Sequence, residues 1–304
     1  MISNGNAFSI VQIVAVWYMA TRLMIQNPAE KTVIAIERAI GELRAGRPVW
    51  VDGKLIMAAE EGAVSEVSAA AIQLLKFAQL LPLATEVSIE GDWLKVTAEQ
   101  IRHYQNALAE TLIEVSSAHL PLKYSENARI TVFRPRYGTV EHLAVIFGEP
   151  STVEAPLVRV HSSCLTGDLL GSLRCDCGDQ LHLALEAMAA EGTGILCYLN
   201  QEGRGIGLGN KIRAYALQEA GQDTLQANES LGFEADERHF AVAAAMLKHL
   251  GISQVKLLTN NPKKLEDLPQ YGVEVRERIP LKAKPHAHNQ GYLDTKAKRF
   301  GHLF

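Results

Sequence analysis

Residues 159–178 read RVHSSCLTGDLLGSLRCDCG and place Cys164, Cys175 and Cys177 at the spacing C-x10-C-x-C. The segment is too rich in glycine and polar residues for a buried helix, so its thiolates can converge on one zinc ion at about 2.3 Å. Three ligands leave a coordination position for water, which is typical of a catalytic zinc site. Three unrelated structural thiols are the alternative interpretation.

Five blocks of sequence within residues 128–304 read RVHSSCLTGD with SLRCDCG, NQEGRGIGLGNKIRAYALQ, ANESLGFEADERHF, LLTNNPKK and YLDTKAKRFGHL. These blocks resemble the GTP cyclohydrolase II family and occur in that family's order. The family carries out the first committed step of riboflavin synthesis. The resemblance therefore implies hydrolysis of GTP to formate, pyrophosphate and 2,5-diamino-6-(5-phosphoribosylamino)pyrimidin-4(3H)-one. It also implies one zinc ion per subunit, magnesium with the triphosphate, and a homodimer.

The same resemblance assigns roles to individual residues. Asp236 would accept a proton, Arg238 would attack the α-phosphorus as pyrophosphate departs, and Tyr215 would help to complete formamide hydrolysis. The three cysteines would be the metal ligands. The residues that would bind the nucleotide are Arg159, Val160, His161, Ser162, Ser163, Gln180, Glu202, Gly203, Arg204, Thr224, Thr259 and Lys264.

Physical chemistry supports some of these roles and leaves others open. A nitrogen leaves a ring or an amide only when protonated, so the reaction needs a proton carrier. Asp236 can fill that role, although a helix cap is an equally good interpretation and the two are compatible. A guanidinium is a poor nucleophile, so stabilising the departing pyrophosphate is the simpler role for Arg238. The carboxylate of Glu202 can accept from the ring N–H and the exocyclic amine of guanine together.

Other features near the predicted site are less specific. The run EGRGIGLG resembles a phosphate-binding loop but lacks the spacing of a known phosphate motif. Arg159 and Lys264 are expected to clamp phosphates, and His161 to orient a neighbour through a hydrogen bond rather than to bind the metal. Ser163 stands where the family commonly has Glu, and Asn200 where a basic residue or His is usual.

Composition excludes some functional classes. The 304-residue chain is 47% hydrophobic and has a formal net charge of -4, which argues against a general nucleic-acid binder. Fifteen of the thirty Lys and Arg residues nevertheless lie between residues 204 and 299. That local excess of positive charge suits the binding of a nucleoside triphosphate, although a solvated basic face would also explain it. The four cysteines do not form a disulfide framework, which predicts a reducing, cytoplasmic environment.

The length favours two domains preceded by an extension. The apolar run within residues 1–26 lacks a basic leader and is broken by Arg22, so we expect either a surface-packed extension or a start site assigned too early, and no membrane span. Residues 27–127 contain AIERAIGELRAGRPVWVDG, which resembles the opening of 3,4-dihydroxy-2-butanone 4-phosphate synthase. That family has a dense acidic cluster, whereas this chain offers only Asp52, Glu60 and Glu61. We therefore expect a degenerate, non-catalytic domain that serves as a packing or dimer surface.

Residues 128–304 are the predicted catalytic domain. Alternating helical and extended patterns predict a layered α/β (α+β) fold, without fixing the order of the strands. The predicted helices start at Asn27-Pro28 and Asn261-Pro262 and cover residues 66–81, 181–190, 211–220 and 236–250. The predicted strands are 48–51, 85–89, 130–133, 142–147, 195–199, 255–259 and 273–279.

Two rival functions stay open on the sequence alone. A variant enzyme could stop at the formamide product, although the presence of Tyr215 argues against this. A non-catalytic GTP-binding regulator could use the first domain to contact a partner, which the intact set of three cysteines disfavours. Products formed from GTP would distinguish all three possibilities.

Overall fold

Two β-sheets, each with its own apolar core, organise the chain. The computed structural model describes residues 27–60 and 65–283. The predicted extension at residues 1–26, Glu61 and the block YLDTKAKRFGHL lie outside the described residues. Within the described part, no helix combines the length and apolar character needed to cross a membrane.

The smaller sheet is built by the residues up to 96. Helix α1 begins where the sequence predicts, because Asn27 accepts a hydrogen bond from the Ala29 N–H at 2.9 Å and Pro28 occupies the first turn. The strands order as β3-β2-β1-β4, and only the β1–β4 pair is parallel. The elements are α1 (Pro28–Arg44), β1 (Val49–Val51), β2 (Lys54–Ala58), α2 (Ala69–Phe77), β3 (Ala84–Glu86), β4 (Lys95–Val96) and the following helix α3 (Ala98–Glu110).

The larger sheet is mixed and has seven strands in the order β11-β10-β8-β9-β7-β6-β5. The four strands from β11 to β9 are parallel, and the remaining pairs are antiparallel. The elements are β5 (Leu112–His119), β6 (Ala128–Pro135), β7 (His142–Phe147), β8 (Leu157–Ser162), α4 (Cys177–Glu191), β9 (Gly194–Leu199), α5 (Leu208–Glu219), α6 (Thr224–Ser230), α7 (Ala241–His249), β10 (Gln254–Leu258), α8 (Pro262–Gln270) and β11 (Glu274–Ile279).

Helices cover both faces of the larger sheet. Successive side chains of a strand point to opposite faces, so neighbouring apolar residues enter different cores. One core joins α4 to Phe147, Leu157, Leu196 and Leu258. The other joins α7 to Ile146, Val158, Ile195 and Leu257. This arrangement confirms the predicted layered α/β class.

One predicted helix is wrong at its start. The pattern predicted a helix over residues 236–250 capped by Asp236, but α7 begins at Ala241. Asp236 instead binds Arg238. The Lys263 ammonium donates hydrogen bonds to the carbonyls of Asp236 and Arg238 at 3.3 and 2.8 Å. These contacts hold the segment before α7 in an irregular conformation, so Asp236 is not a helix cap.

Residues 97–126, which carry only a weak pattern, form α3 and β5. Strand β5 pairs with β6 from Leu112 to His119, so the larger sheet includes chain on both sides of residue 127. The domain boundary at that residue stays a prediction. Strand β8, which runs into the cysteine stretch, was also missed, because Arg159 and His161 interrupt its apolar pattern.

Candidate active site

The parallel strands bring the distant sequence blocks to one edge of the larger sheet. Strands β8, β9 and β10 end at Ser162, Leu199 and Leu258, and their carboxyl ends lie side by side. In open α/β sheets, ligands bind beyond the carboxyl ends of the strands. A cavity of about 540 Å³ lies there, lined by residues that follow all three strands.

The three predicted metal ligands converge at this cavity. Cys164 follows β8, and Cys175 and Cys177 lie just before and at the start of α4. Their sulfurs all lie within 4.8 Å of one another, and the Cys164 and Cys175 sulfurs are 3.8 Å apart. Tetrahedral zinc with sulfur at about 2.3 Å requires sulfurs about 3.8 Å apart. The donor set and its spacing therefore fit one zinc ion, and no other cluster of three potential ligands occurs within residues 27–60 and 65–283.

Gly167 makes this convergence possible. It lies in the turn Leu165–Leu169, and a Cβ on it would be 2.9 Å from the Cys175 sulfur and 3.1 Å from the Cys164 sulfur. A Cβ essentially never comes within 3.0 Å of a neighbouring heavy atom, so the Cys175 sulfur would have to shift, and the distance to the Cys164 sulfur would also be unusually short. The sulfurs therefore pack against a backbone that only glycine leaves bare.

A buried ammonium lies against the cysteine cluster. The Nζ of Lys211 is 3.1 Å from the Cys164 sulfur, 2.8 Å from Thr166 Oγ1 and 2.8 Å from a carboxylate oxygen of Glu202. Hydrogen bonds from Cys175 and Cys177, with the charge of Lys211, hold the pKa of the Cys164 thiol far below its usual range. The hydrogen bond to Cys164 conversely raises the pKa of Cys175 to about 11. Metal binding would then displace the thiol proton of Cys175.

Asp168 fixes the residues around Cys164. Its carboxylate accepts hydrogen bonds from the Cys164 backbone N–H at 3.0 Å and from the Tyr198 hydroxyl at 2.9 Å. The Nε2 of His161 lies 3.1 Å from both carboxylate oxygens. Burial lowers the pKa of His161, although the bond to Asp168 opposes that shift. The hydrogen bond expected of His161 is therefore made to a carboxylate that orients Cys164, a predicted metal ligand.

A series of hydrogen-bonded polar side chains runs along the cavity from β8 to α4. The Arg159 guanidinium donates to the Leu258 carbonyl at 2.9 Å and to Gln180 at 2.6 Å, and Gln180 donates to Asp176 at 2.6 Å. Burial lowers the pKa of Arg159 to about 10, so the side chain keeps its charge at neutral pH. The arrangement places a fixed positive charge where an anionic ligand could use it.

Asp236 and Arg238 form a tight ion pair beside the cavity. The Arg238 side chain donates to both carboxylate oxygens of Asp236, at 2.7 and 2.5 Å. Burial would raise the pKa of Asp236, but the charge and hydrogen bonds of Arg238 outweigh it and lower that pKa strongly. A carboxylate with such a low pKa is a weak general base at neutral pH. The geometry therefore favours Asp236 as the group that holds Arg238, which itself lines the cavity.

Glu202 connects the glycine-rich loop to the metal-site turn. One carboxylate oxygen accepts from the Leu165 N–H at 2.6 Å, and the other accepts from the Gly203 N–H at 2.9 Å and from Lys211. A carboxylate has about four acceptor positions, so few remain for a ligand. Recognition of guanine by both oxygens would require some of these contacts to exchange.

The cavity collects nearly all of the predicted site residues. Tyr215 lines it, with the Arg174 guanidinium 4.9 Å from its ring centre. Val160 and Asp236 do not line it. Val160 is buried in the sheet, and its carbonyl accepts from Lys264 at 2.6 Å. The predicted residues that do line it are Arg159, His161, Ser162, Ser163, Cys164, Cys175, Cys177, Gln180, Glu202, Gly203, Arg204, Thr224, Arg238, Thr259 and Lys264.

Several lining residues were not found from the sequence, and Lys211 is the most informative of them. Lys211, Ala214, Tyr215 and Gln218 all face the cavity from α5. Their spacing of three, four and seven residues marks one face of a helix. Given the choice of Tyr215, that periodicity could have identified Lys211.

Comparisons with known proteins agree with this geometry. Residues 113–280 match the sequence profile of the family described as GTP cyclohydrolase II. GTP cyclohydrolase-2 of Azospirillum brasilense is 50% identical over 247 residues, which cover 77% of this chain and 64% of that protein. GTP cyclohydrolase-2 of Azotobacter vinelandii is 58% identical over 163 residues, which cover 54% of this chain and 78% of that protein.

Longer relatives match as well. Riboflavin biosynthesis protein RibBA of Parabacteroides distasonis is 44% identical over 226 residues, covering 73% of this chain and 55% of the relative. The chain thus spans about half to two thirds of the length of several curated relatives. A solved two-domain 3,4-dihydroxy-2-butanone 4-phosphate synthase from A. baumannii aligns with 80% of this chain and 99% of its own, at 14% identity and a TM-score of 0.38, too low to infer a common fold. The matched profile covers more than half of the sequence, and the chain belongs to the GTP cyclohydrolase II family.

Proposed function

We propose that this protein is a zinc-dependent GTP cyclohydrolase II that converts GTP and water to formate, pyrophosphate and 2,5-diamino-6-(5-phosphoribosylamino)pyrimidin-4(3H)-one. The observation that carries the proposal is the cluster of three cysteine sulfurs in a cavity that is also lined by arginine and lysine side chains. The volume of about 540 Å³ lies in the range of small-molecule sites. Thiolate ligands suit zinc, and the arginine and lysine side chains beside them suit phosphate groups. The cavity therefore suits a nucleotide whose base reacts at the metal and whose polyphosphate binds the cationic side chains.

The side chains divide the work between the two ends of the ligand. Cys164, Cys175 and Cys177 hold zinc, which when bound lowers the pKa of water towards about 7 and so supplies a nucleophile. At the other end, Arg204 and Arg238 neutralise phosphate charge as pyrophosphate leaves. Magnesium is expected to accompany the triphosphate through phosphate oxygens.

Tyr215 can donate a proton during the second hydrolysis. Burial raises the pKa of its phenol, although a hydrogen bond with Thr166 and the charge of Lys211 oppose that shift. The phenol therefore stays protonated at neutral pH. It lies on the same cavity wall as the cysteine cluster, which suits donation to a departing amide nitrogen.

The test is to incubate the purified protein with GTP, zinc and magnesium and to identify the products by mass. We expect formate, pyrophosphate and the pyrimidinone in equal amounts. Cys175→Ala is expected to remove both bound zinc and turnover. The matched control is Cys197→Ala, because Cys197 is a buried thiol of the apolar core in β9 and is absent from the metal cluster.

The alternatives give different outcomes in the same assay. Consumption of GTP without formate would indicate an enzyme that stops at the formamide. GTP binding without turnover in zinc-loaded protein would indicate a regulator. Turnover by metal-free Cys175→Ala would contradict the proposal itself.

Two further expectations accompany the proposed function. A homodimer is expected, and light scattering at the concentration of the assay would test it. A reducing, cytoplasmic location is supported by the four free cysteines, of which the three in the cluster must stay reduced to bind zinc.

A further inference from the structure

The part of the chain that builds the smaller sheet, residues 27–96, is called the small domain below, and it contacts the loops that form the predicted GTP site. Lys76, at the end of α2, lies 2.7 Å from a carboxylate oxygen of Glu237. The two side chains are only 9% and 13% exposed. The surface pair Lys54–Glu86 of the same domain is about half exposed on each side, so solvent screens it far more.

Glu237 stands between Asp236 and Arg238, and it contacts the glycine-rich loop at Arg204, a residue that lines the cavity. Its N–H donates to the Arg204 carbonyl at 3.1 Å, and its carboxylate also accepts from the Glu234 N–H at 2.8 Å. Lys76 thus fixes the backbone from which Arg238 extends. Through the Arg204 carbonyl it also fixes the glycine-rich loop.

A second contact begins three residues further along the small domain. The Gln79 carbonyl accepts from the Asn210 side chain at 2.8 Å, and the buried Asn210 also donates to the Ile206 carbonyl at 3.0 Å. A Cβ on Gly207 would lie 2.7 Å from the Gln79 side-chain oxygen. Gln79 therefore packs against the turn that leads into α5, the helix that carries Lys211 and Tyr215.

A third contact completes the interface. Pro82 packs on Gly232, where an added Cβ would lie 2.6 Å from the proline ring. Gly232 has φ +81, a conformation that favours glycine, and it precedes the segment of Glu234 to Arg238. The three contacts therefore lie next to the two loops that carry Arg204 and Arg238, the arginines predicted to bind phosphate.

We propose that Lys76 and Gln79 are positioning residues for the GTP site, and that the small domain serves the reaction by holding two site loops in place. The inference rests on the proposed function for its kinetic consequences. Its structural part, the restraint of residues 234–238 by Lys76, holds whatever the ligand.

The experiment compares Lys76→Met, which removes the charge, with Lys76→Arg, which keeps it and leaves every contact of Glu237 in place. The control is Lys54→Met, which removes the exposed pair of the same domain. Hydrogen–deuterium exchange at residues 234–238 and the kcat and KM for GTP are measured on the full chain. We expect Lys76→Met to speed exchange there and to lower kcat/KM by about ten- to a hundredfold, the range for displaced site groups.

Rescue separates positioning from general stability. Lys76→Arg is expected to keep slow exchange and most of kcat/KM, and Lys54→Met to change neither. If Lys76→Met also lowers the melting temperature, exchange is compared at equal distances below each melting temperature, so that a general loss of stability is separated from a local release of residues 234–238. Unchanged exchange in Lys76→Met, or faster exchange without rescue, would overturn the inference. Wild-type protein without GTP turnover would instead refute the proposed function, because the exchange comparison does not depend on activity.

Discussion

At the scale of single residues, Lys211 offsets the negative charge of the predicted metal site. Burial by itself would lower the pKa of its ammonium, but the hydrogen bond to Glu202 and the charge of Cys164 outweigh that effect and raise it. The side chain is therefore charged. Three thiolates and one zinc ion carry a net charge of -1, so a buried cation 3.1 Å from one sulfur stabilises the loaded site.

Replacing Lys211 with Met is expected to weaken zinc binding by about tenfold to a hundredfold, the usual cost of losing a contact to a metal ligand. Lys211→Arg keeps the charge and should lose less. Competition with a chelator measures the affinity directly. Lys31→Met, at an exposed position of α1, is the matched control and should bind zinc like the wild type. Equal affinity in Lys211→Met would show that the ammonium is irrelevant to the metal.

Arg238 depends on its shape as well as on its charge. Its planar guanidinium bonds both oxygens of Asp236 and still faces the cavity, a geometry that a lysine ammonium cannot reproduce. We expect Arg238→Lys to reduce kcat for GTP by about a hundredfold or more, because the charge is kept but the oriented donors to the transition state are lost. Zinc content should stay at the wild-type level. A kcat within twofold of the wild type would argue against a phosphate role for this side chain.

At the scale of elements, the turn after β8 and the first turn of α4 form one unit that carries the three predicted metal ligands. Gly167 packs under two sulfurs, and a Cβ on Gly178 would lie 2.5 Å from the Gly167 carbonyl. Neither position needs a left-handed backbone, so their requirement is for close approach. The two segments can approach each other this closely because glycines, which have no side chain, stand where they meet.

Gly167→Ala is therefore expected to reduce zinc content severely, because the added methyl group would push apart the sulfurs of Cys175 and Cys164. Metal analysis of the purified variant measures this. Gly41→Ala serves as the control, since a Cβ there meets nothing within 4 Å and favours the α1 helix by about 0.5–1 kcal/mol. Stoichiometric zinc in Gly167→Ala would contradict the packing argument.

At the scale of the whole molecule, buried neutral histidines make stability depend on pH. His142 begins β7, is only 6% exposed, and accepts a hydrogen bond from the Asn200 N–H that follows β9. Burial lowers its pKa to about 4. Between its ordinary pKa of about 6.5 and this value, the unfolded chain binds a proton that the folded chain does not. Acidification through that window therefore favours unfolding.

We expect the free energy of unfolding to fall by about 3 kcal/mol from this group alone as pH drops from about 6.5 to 4. His142→Asn keeps an acceptor for Asn200 and removes the titration, so its pH dependence should be shallower by up to about 1.4 kcal/mol per pH unit. Urea titrations at several pH values measure both slopes. Part of the slope should remain, because burial also lowers the pKa of His161 and His239. Identical slopes in both proteins would exclude His142 as a source.

Local sequence determined the features that depend on neighbouring residues. Asn27-Pro28 and Asn261-Pro262 correctly predicted the starts of α1 and α8, because a cap and its helix lie within one turn. The apolar pattern predicted β7 at the bounds observed. The spacing of Cys164, Cys175 and Cys177 predicted a metal cluster, since short spacing limits how far the sulfurs can separate.

Tertiary structure alone decided what depends on distant residues. The order of the strands, the bond between Lys211 and Cys164, and the pair of Lys76 and Glu237 each join segments far apart in sequence, and no local pattern encodes such contacts. Asp236 illustrates the difference, because its sequence context predicts a helix cap. In the structure, Arg238 binds its carboxylate and Lys263 donates to its carbonyl, so neither group is available to cap a helix. Caps and periodicity act within a few residues, but strand pairing and buried charge are settled only when the whole chain packs.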